Sequence, residues 1–204
     1  MHRILTLEEL ANAVAALCEI EPRFKQIVKH HGIPSLRASP QGLEGLLMII
    51  TEQFLSLQAA ASIWARLKQH LGHCEPATIL ACSESDLVVL GLSRAKAKAF
   101  HAASKSNLDF TNMNESEVSK KLCSIHGVGP WTADIYLLSV LGAADAWPEG
   151  DLALRIAIQD FLNLSARPEI SEMTALAANW RPHRAVAARL LWSHYRGFKG
   201  LAQA

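Results

Sequence analysis

The sequence predicts an all-α protein, and three observations carry that prediction. Apolar residues recur at intervals of three and four, the spacing of one helix face. Thr or Asn followed three positions later by Glu marks helix starts. No stretch alternates apolar and polar residues at strand length, and there is no internal repeat of fixed period and no low-complexity segment. The pattern calls for about nine to eleven helices joined by short loops.

The elements follow in chain order. Thr6-Leu7-Glu8-Glu9 has capping-box spacing and opens a helix through about Leu17. Leu43, Leu46, Leu47, Ile50, Phe54 and Leu57 share one helix face, and Ile63, Leu67 and Leu71 carry the spacing on until Gly72 supplies a stop. Ser83 precedes a short helix that Gly91 can end. Asn114 to Glu117 is another capping-box spacing, and that helix ends near Cys123. Pro130 suits the first turn of a helix running to Gly142, and Pro182 suits one running to Gly197. Residues 32–41, with Pro34 and Pro40, are the best candidate for a crossing between two lobes, and residues 143–150 are the second.

Composition narrows the function classes. The chain has 204 residues, half of them hydrophobic, which suits one compact domain or two lobes sharing a core. Its 20 Lys and Arg against 19 Asp and Glu leave a net charge of +1, so any basic face must be local. No apolar run approaches about 18 residues, so no membrane span is expected. Glu8 and Glu9 near the start argue against a secretory leader, and a cytoplasmic setting, nucleoid-associated or nuclear, is expected. Four scattered cysteines, Cys18, Cys74, Cys82 and Cys123, are expected as reduced thiols. His70, His73 and Cys74 fit no common zinc spacing, and Gly72 breaks the helix between the histidines.

The sharpest motif lies between Cys123 and Gly142. Gly127 and Gly129 flank Val128, and Pro130 then starts the next helix. Glycines permit positive φ and bare backbone. Such a turn exposes N–H groups at a helix N-terminus, where the dipole favours an anion, so it can hold a phosphate without a lysine. Ile125 precedes the turn, and Trp131-Thr132-Ala133 follows it. Asp151 comes nine residues after Gly142, before Leu152, Leu154, Ile156 and Ile158, which places it at the start of a helix.

Two further blocks flank this one: Glu52-Gln53-Phe54-Leu55-Ser56 running into residues 57–67, and Trp180-Arg181-Pro182-His183-Arg184 running into residues 185–192. In order and spacing the three blocks resemble the helix-hairpin-helix DNA glycosylases, most closely the alkylation-repair branch, DNA-3-methyladenine glycosylase II. The resemblance spans roughly residues 40–196. It implies a single all-α glycosylase fold of two helical lobes with a central cleft, containing a helix-hairpin-helix motif. A lobe of about residues 40–142 would be inserted into one formed by about 1–39 and 143–204.

The resemblance also implies a monofunctional glycosylase that excises alkylated purines, of the 3-methyladenine type, from double-stranded DNA during base excision repair. Such enzymes extrude the damaged nucleotide and hydrolyse its N-glycosidic bond. Asp151 is the implied catalytic residue, its carboxylate stabilising positive charge on the sugar. The hairpin of Gly127, Val128, Gly129, Trp131 and Thr132 would bind phosphate. Relatives hold a monovalent cation, Na+ or K+, on this loop through backbone carbonyls, here those of Cys123, Ile125 and Val128. No other cofactor is expected; an iron–sulfur cluster is not, because no cysteine follows Cys123.

Bifunctional relatives carry Lys at the hairpin position occupied here by Trp131, so no strand-nicking lyase activity is expected. Trp131, Tyr136, Trp180 and His183 are the implied base pocket. The family's aromatic often comes one position before Tyr136, where this chain has Ile135, and His183 stands where relatives often show an aromatic. Phe54, with Gln53, occupies the place of the wedge that fills the gap left by the flipped base. Arg181, Arg184, Arg189, Arg196 and Lys199 follow the last acidic residue, Glu172, and residues 93–98 add a second basic patch for phosphates. A monomer is expected. Two alternatives stand beside this reading: a non-catalytic helix-hairpin-helix DNA-binding module, and a glycosylase for deaminated or oxidised bases.

Overall fold

The computed structural model describes residues 1–36 and 39–200. Among the described residues the secondary structure is twelve α-helices, one short 3-10 turn and an isolated antiparallel bridge between Arg3 and Ala143. The all-α prediction holds. The chain divides into two compact units, Met1–Ala38 with Leu141–Ala204, and Ser39–Val140.

The first unit contains α1 (Leu7–Ile20), α2 (Phe24–His31), α10 (Leu152–Phe161), α11 (Ile170–Leu176), the 3-10 turn (Ala178–Trp180) and α12 (Arg184–Phe198). Helix α1 starts where the sequence places it: Thr6 accepts from the Glu9 N–H, and Glu9 accepts from the Thr6 N–H. Leu10, Val14 and Leu17 then form its buried stripe. Helix α12 packs against α1, α2 and α10, and its Ala185–Ala188 and Leu190–Leu191 are buried. The centre is aromatic. Phe24 stacks on Phe161 at 4.5 Å, and Trp180 meets Phe24 at 5.2 Å and Trp147 at 5.8 Å, edge to face.

The second unit contains α3 (Gly42–Glu52), α4 (Leu57–Leu71), α5 (Pro76–Ala81), α6 (Glu84–Val89), α7 (Arg94–Ser104), α8 (Glu115–Cys123) and α9 (Pro130–Ser139). Helix α3 lies between α7 and α9, with Leu46, Leu47, Ile49 and Ile50 buried. Asn114 and Glu117 form the expected capping box at the start of α8.

Three local expectations needed correction. The apolar face over residues 43–71 is not one helix: α3 ends at Glu52, Phe54 takes a φ of +56°, and Ser56 caps α4 by accepting from the Ala59 N–H. Phe54 kept the apolar spacing but points to solvent. Pro182 does not sit in the first turn of α12, which begins at Arg184 with His183 as its N-cap. Helix α5, six residues long, carries too few turns to show a periodic face, so the helix count from sequence was low.

Candidate functional site

In the second unit, α8 and α9 are joined by the glycine turn. The Ser124 N–H returns to the carbonyl of Lys120, the Ile125 N–H to Leu122 and the Val128 N–H to Ile125. Gly127 has φ +83°, and a β-carbon there would collide with Ala99 of α7, so only glycine fits. Gly129 is the N-cap of α9 and Pro130 its first residue. Val128 points inward and is buried, while His126, Gly127, Gly129 and Pro130 form an exposed tip. The Val128 N–H is committed to the turn. The backbone exposed at this tip is that of the glycines and the start of α9.

The turn after α3 is tied to this hairpin. The Gln53 side-chain amide donates to the carbonyl of Gly127 at 3.1 Å and to the Thr132 hydroxyl at 2.8 Å. Thr132 is buried, so its hydroxyl serves this internal contact. Phe54, the next residue, is fully exposed and in the left-handed region. Holding a non-glycine residue there costs about 1–3 kcal/mol, so the fold maintains an exposed aromatic in a strained backbone state. The Lys96 ammonium, from α7, donates to the carbonyls of Thr51 at 2.8 Å and Gln53 at 2.6 Å. Lys96 is only 9% exposed, and burial lowers its pKa from the ordinary lysine value.

In the first unit, Asp151 caps α10. Its Oδ1 accepts from the Leu154 N–H at 2.9 Å and from the Trp192 indole N–H, on α12, at 3.1 Å. The loop leading to it is fixed from both ends. The Asp151 N–H bonds to the carbonyl of Pro148, and the Ala185 N–H bonds to that of Ala144. Asp145 receives a forked pair from Arg184 at 2.8 and 2.9 Å and a third bond from Arg181 at 2.9 Å. A half-buried carboxylate at a helix start, gripped by a main-chain and an indole N–H, is held in one orientation.

The remaining sequence candidates separate. Trp131 is half-buried on the first turn of α9, next to the hairpin tip. Tyr136 lies in the core of the second unit: its hydroxyl donates to the carbonyl of Gly42 at 3.3 Å, its ring meets Phe110 edge to face, and burial pushes its pKa up to about 12. Trp180 is 2% exposed within the aromatic core of the first unit. Both aromatics thus have packing roles. His183 is half-buried, with Nδ1 lacking a protein partner. Burial, and then the neighbouring His2, lower its pKa, which favours the neutral ring.

Two basic readings change. Lys96, counted in the patch of residues 93–98, is buried, and Arg184 is buried against Asp145. The acidic partner of the basic tail lies well ahead of it in sequence. Sequence reasoning missed Asp145, Lys96 and Trp192 as supports.

Comparison with known proteins gives one consistent set. Residues 47–182 match the family described as HhH-GPD superfamily base excision DNA repair protein. The alkylbase DNA glycosidase-like protein mag2 of Schizosaccharomyces pombe is 28% identical over 193 residues, which cover 86% of this chain and 89% of that protein. The 3-methyladenine DNA glycosylase Mag1 of the same yeast, solved in complex with abasic DNA, shares the fold with a TM-score of 0.81 at 22% identity, over 95% of this chain and 98% of that one. A DNA-3-methyladenine glycosidase from Bacillus halodurans superposes with a TM-score of 0.76 at 25% identity, over 94% and 93% of the two chains.

Proposed function

The chain belongs to the HhH-GPD superfamily of base excision DNA repair proteins, and from that premise we propose that it is a monofunctional DNA glycosylase removing alkylated purines from duplex DNA. The observation that carries this reading is Asp151, set at the start of α10 with Oδ1 held by the Leu154 N–H and the Trp192 indole. The relatives named for 3-methyladenine excision support the same substrate class.

The reaction needs little beyond what these residues supply. A base methylated on a ring nitrogen carries positive charge and leaves as a neutral molecule, taking the electrons of the N-glycosidic bond. Positive charge then develops on the sugar, where the Asp151 carboxylate stabilises it, orients a water toward C1′ and takes the proton that water loses. The products are the free base and an abasic site. Trp131 stands on the hairpin where lyase chemistry would require an amine, so no Schiff base forms and the strand is not cut. An indole face also attracts a cationic base by roughly 1–2 kcal/mol when desolvated.

The glycine turn would hold a strand phosphate through its N–H groups. The carbonyls of Cys123 and Val128 take no part in the turn bonds described above, while that of Ile125 accepts from Val128. Three hard oxygens on one turn suit a monovalent cation, which would add positive charge beside the phosphate. Phe54 would enter the duplex as the wedge.

Incubating the protein with methylated duplex DNA and separating released bases by chromatography tests the reading. Release of 3-methyladenine with the strand left intact is the expected result. Tight binding without a released base would support a non-catalytic DNA-binding module, and release of uracil or an oxidised purine would move the substrate class.

A further inference from the structure

Lys96 is a buried cation that the mechanism above does not use. Its ammonium reaches the last carbonyls before Phe54, those of Thr51 and Gln53. Gln53 in turn holds Gly127 and Thr132 of the hairpin through its amide. The same helix that carries Lys96 carries Ala99, which packs against Gly127 so closely that no β-carbon fits between them. Helix α7, the turn after α3 and the glycine hairpin therefore form a closed ring of contacts within the second unit. Phe54 is the fully exposed point of that ring, and it is held at a φ of +56°.

An apolar side chain can displace a base from a duplex only if it does not yield. The strand must be gripped, and the distance from grip to wedge must be fixed. A flexible lysine would be a poor phosphate ligand when buried, but a charge on two helix-end carbonyls is well placed to lock a strained turn. We propose that Lys96 is a positioning residue for base extrusion: with Gln53 it holds Phe54 at a fixed reach from the phosphate-gripping hairpin. The inference rests on the glycosylase reading for the purpose of the wedge, but it is tested through extrusion and not through base release.

The test is a double-variant cycle with Phe54→Ala, Lys96→Met and the pair, using a duplex with 2-aminopurine beside a tetrahydrofuran abasic analogue. Wild-type protein should raise the 2-aminopurine fluorescence by unstacking it. Lys96→Met and Phe54→Ala should each lower the fluorescence gain by at least about threefold, and the double variant should equal Phe54→Ala, because Lys96 acts through Phe54. Affinity for undamaged duplex should stay within about twofold in Lys96→Met, since the hairpin grip remains. A merely structural lysine would instead lower binding along with thermal stability and multiply its effect with Phe54→Ala. If Lys96→Met does not fold, Lys96→Gln takes its place in the same cycle. No rise with wild type, no loss in Phe54→Ala, or effects that multiply in the double variant would each overturn the inference. A cycle that closes while methylated DNA yields no free base would leave the inference standing and the glycosylase reading refuted.

Discussion

Asp151→Asn separates the chemistry of the carboxylate from its part in the fold. Asparagine presents a carbonyl oxygen where Oδ1 now accepts from the Leu154 N–H at 2.9 Å and the Trp192 indole at 3.1 Å. As a helix cap Asn ranks with Asp, so the first turn of α10 should persist. Losing the charge at the helix start costs about 0.3–1 kcal/mol, and a weaker bond from the indole adds about 1 kcal/mol. At about 2–4 °C per kcal/mol for a chain of this size, melting should fall by a few degrees. The catalytic loss is much larger. A carboxylate about 4 Å from the sugar cation, at an effective dielectric of about 20, stabilises it by roughly 4 kcal/mol, about a thousandfold in rate. Single-turnover release of 3-methyladenine, with band-shift affinity for an abasic-analogue duplex measured alongside, reads both quantities. The expected result is a rate lower by about a thousandfold with affinity little changed. An Asn variant within about tenfold of wild type would remove Asp151 from the mechanism, and affinity falling in step with melting temperature would make it a structural cap.

Trp192→Phe keeps the ring but removes the N–H that holds Asp151; release should slow by roughly tenfold at unchanged DNA affinity, and an unchanged rate in the same single-turnover assay would dismiss the indole as an orienting group. Gly127→Ala puts a β-carbon into Ala99 at a φ of +83° and should lower both stability, by about 1–3 kcal/mol, and duplex binding. Gly129→Ala meets open space and should fold normally, so equal melting temperatures for the two variants would contradict the hairpin geometry. Asp145→Ala strands the buried Arg184 and should cost about 3–5 kcal/mol in urea unfolding; a change below about 1 kcal/mol would show that the forked pair does not hold the loop before Asp151.

What could be read from sequence divides along a physical line. Helix starts at Thr6, Ser83 and Asn114 were legible because a cap is made between residues three apart. The glycine turn and Asp151 were legible for the same reason: positive φ and the end of a helix leave local marks. Phe54 misled the reading because its spacing satisfied a helix that the chain does not continue, and spacing carries no record of a positive φ. Lys96 and Arg184 misled it because burial of a charge is decided by distant partners: the carbonyl of Thr51 lies 45 residues from Lys96, and Asp145 lies 39 from Arg184. Trp192 sits 41 residues from the carboxylate it holds. The glycine turn and Asp151 thus stand on local signals, while the groups that aim the site arrive from afar through the packed fold. Replacing Asp151 should change the chemistry at a small cost in stability, and replacing the groups that aim it should change how rigidly that chemistry is presented. That is why a cycle joining Lys96 to Phe54 is more decisive than either variant alone.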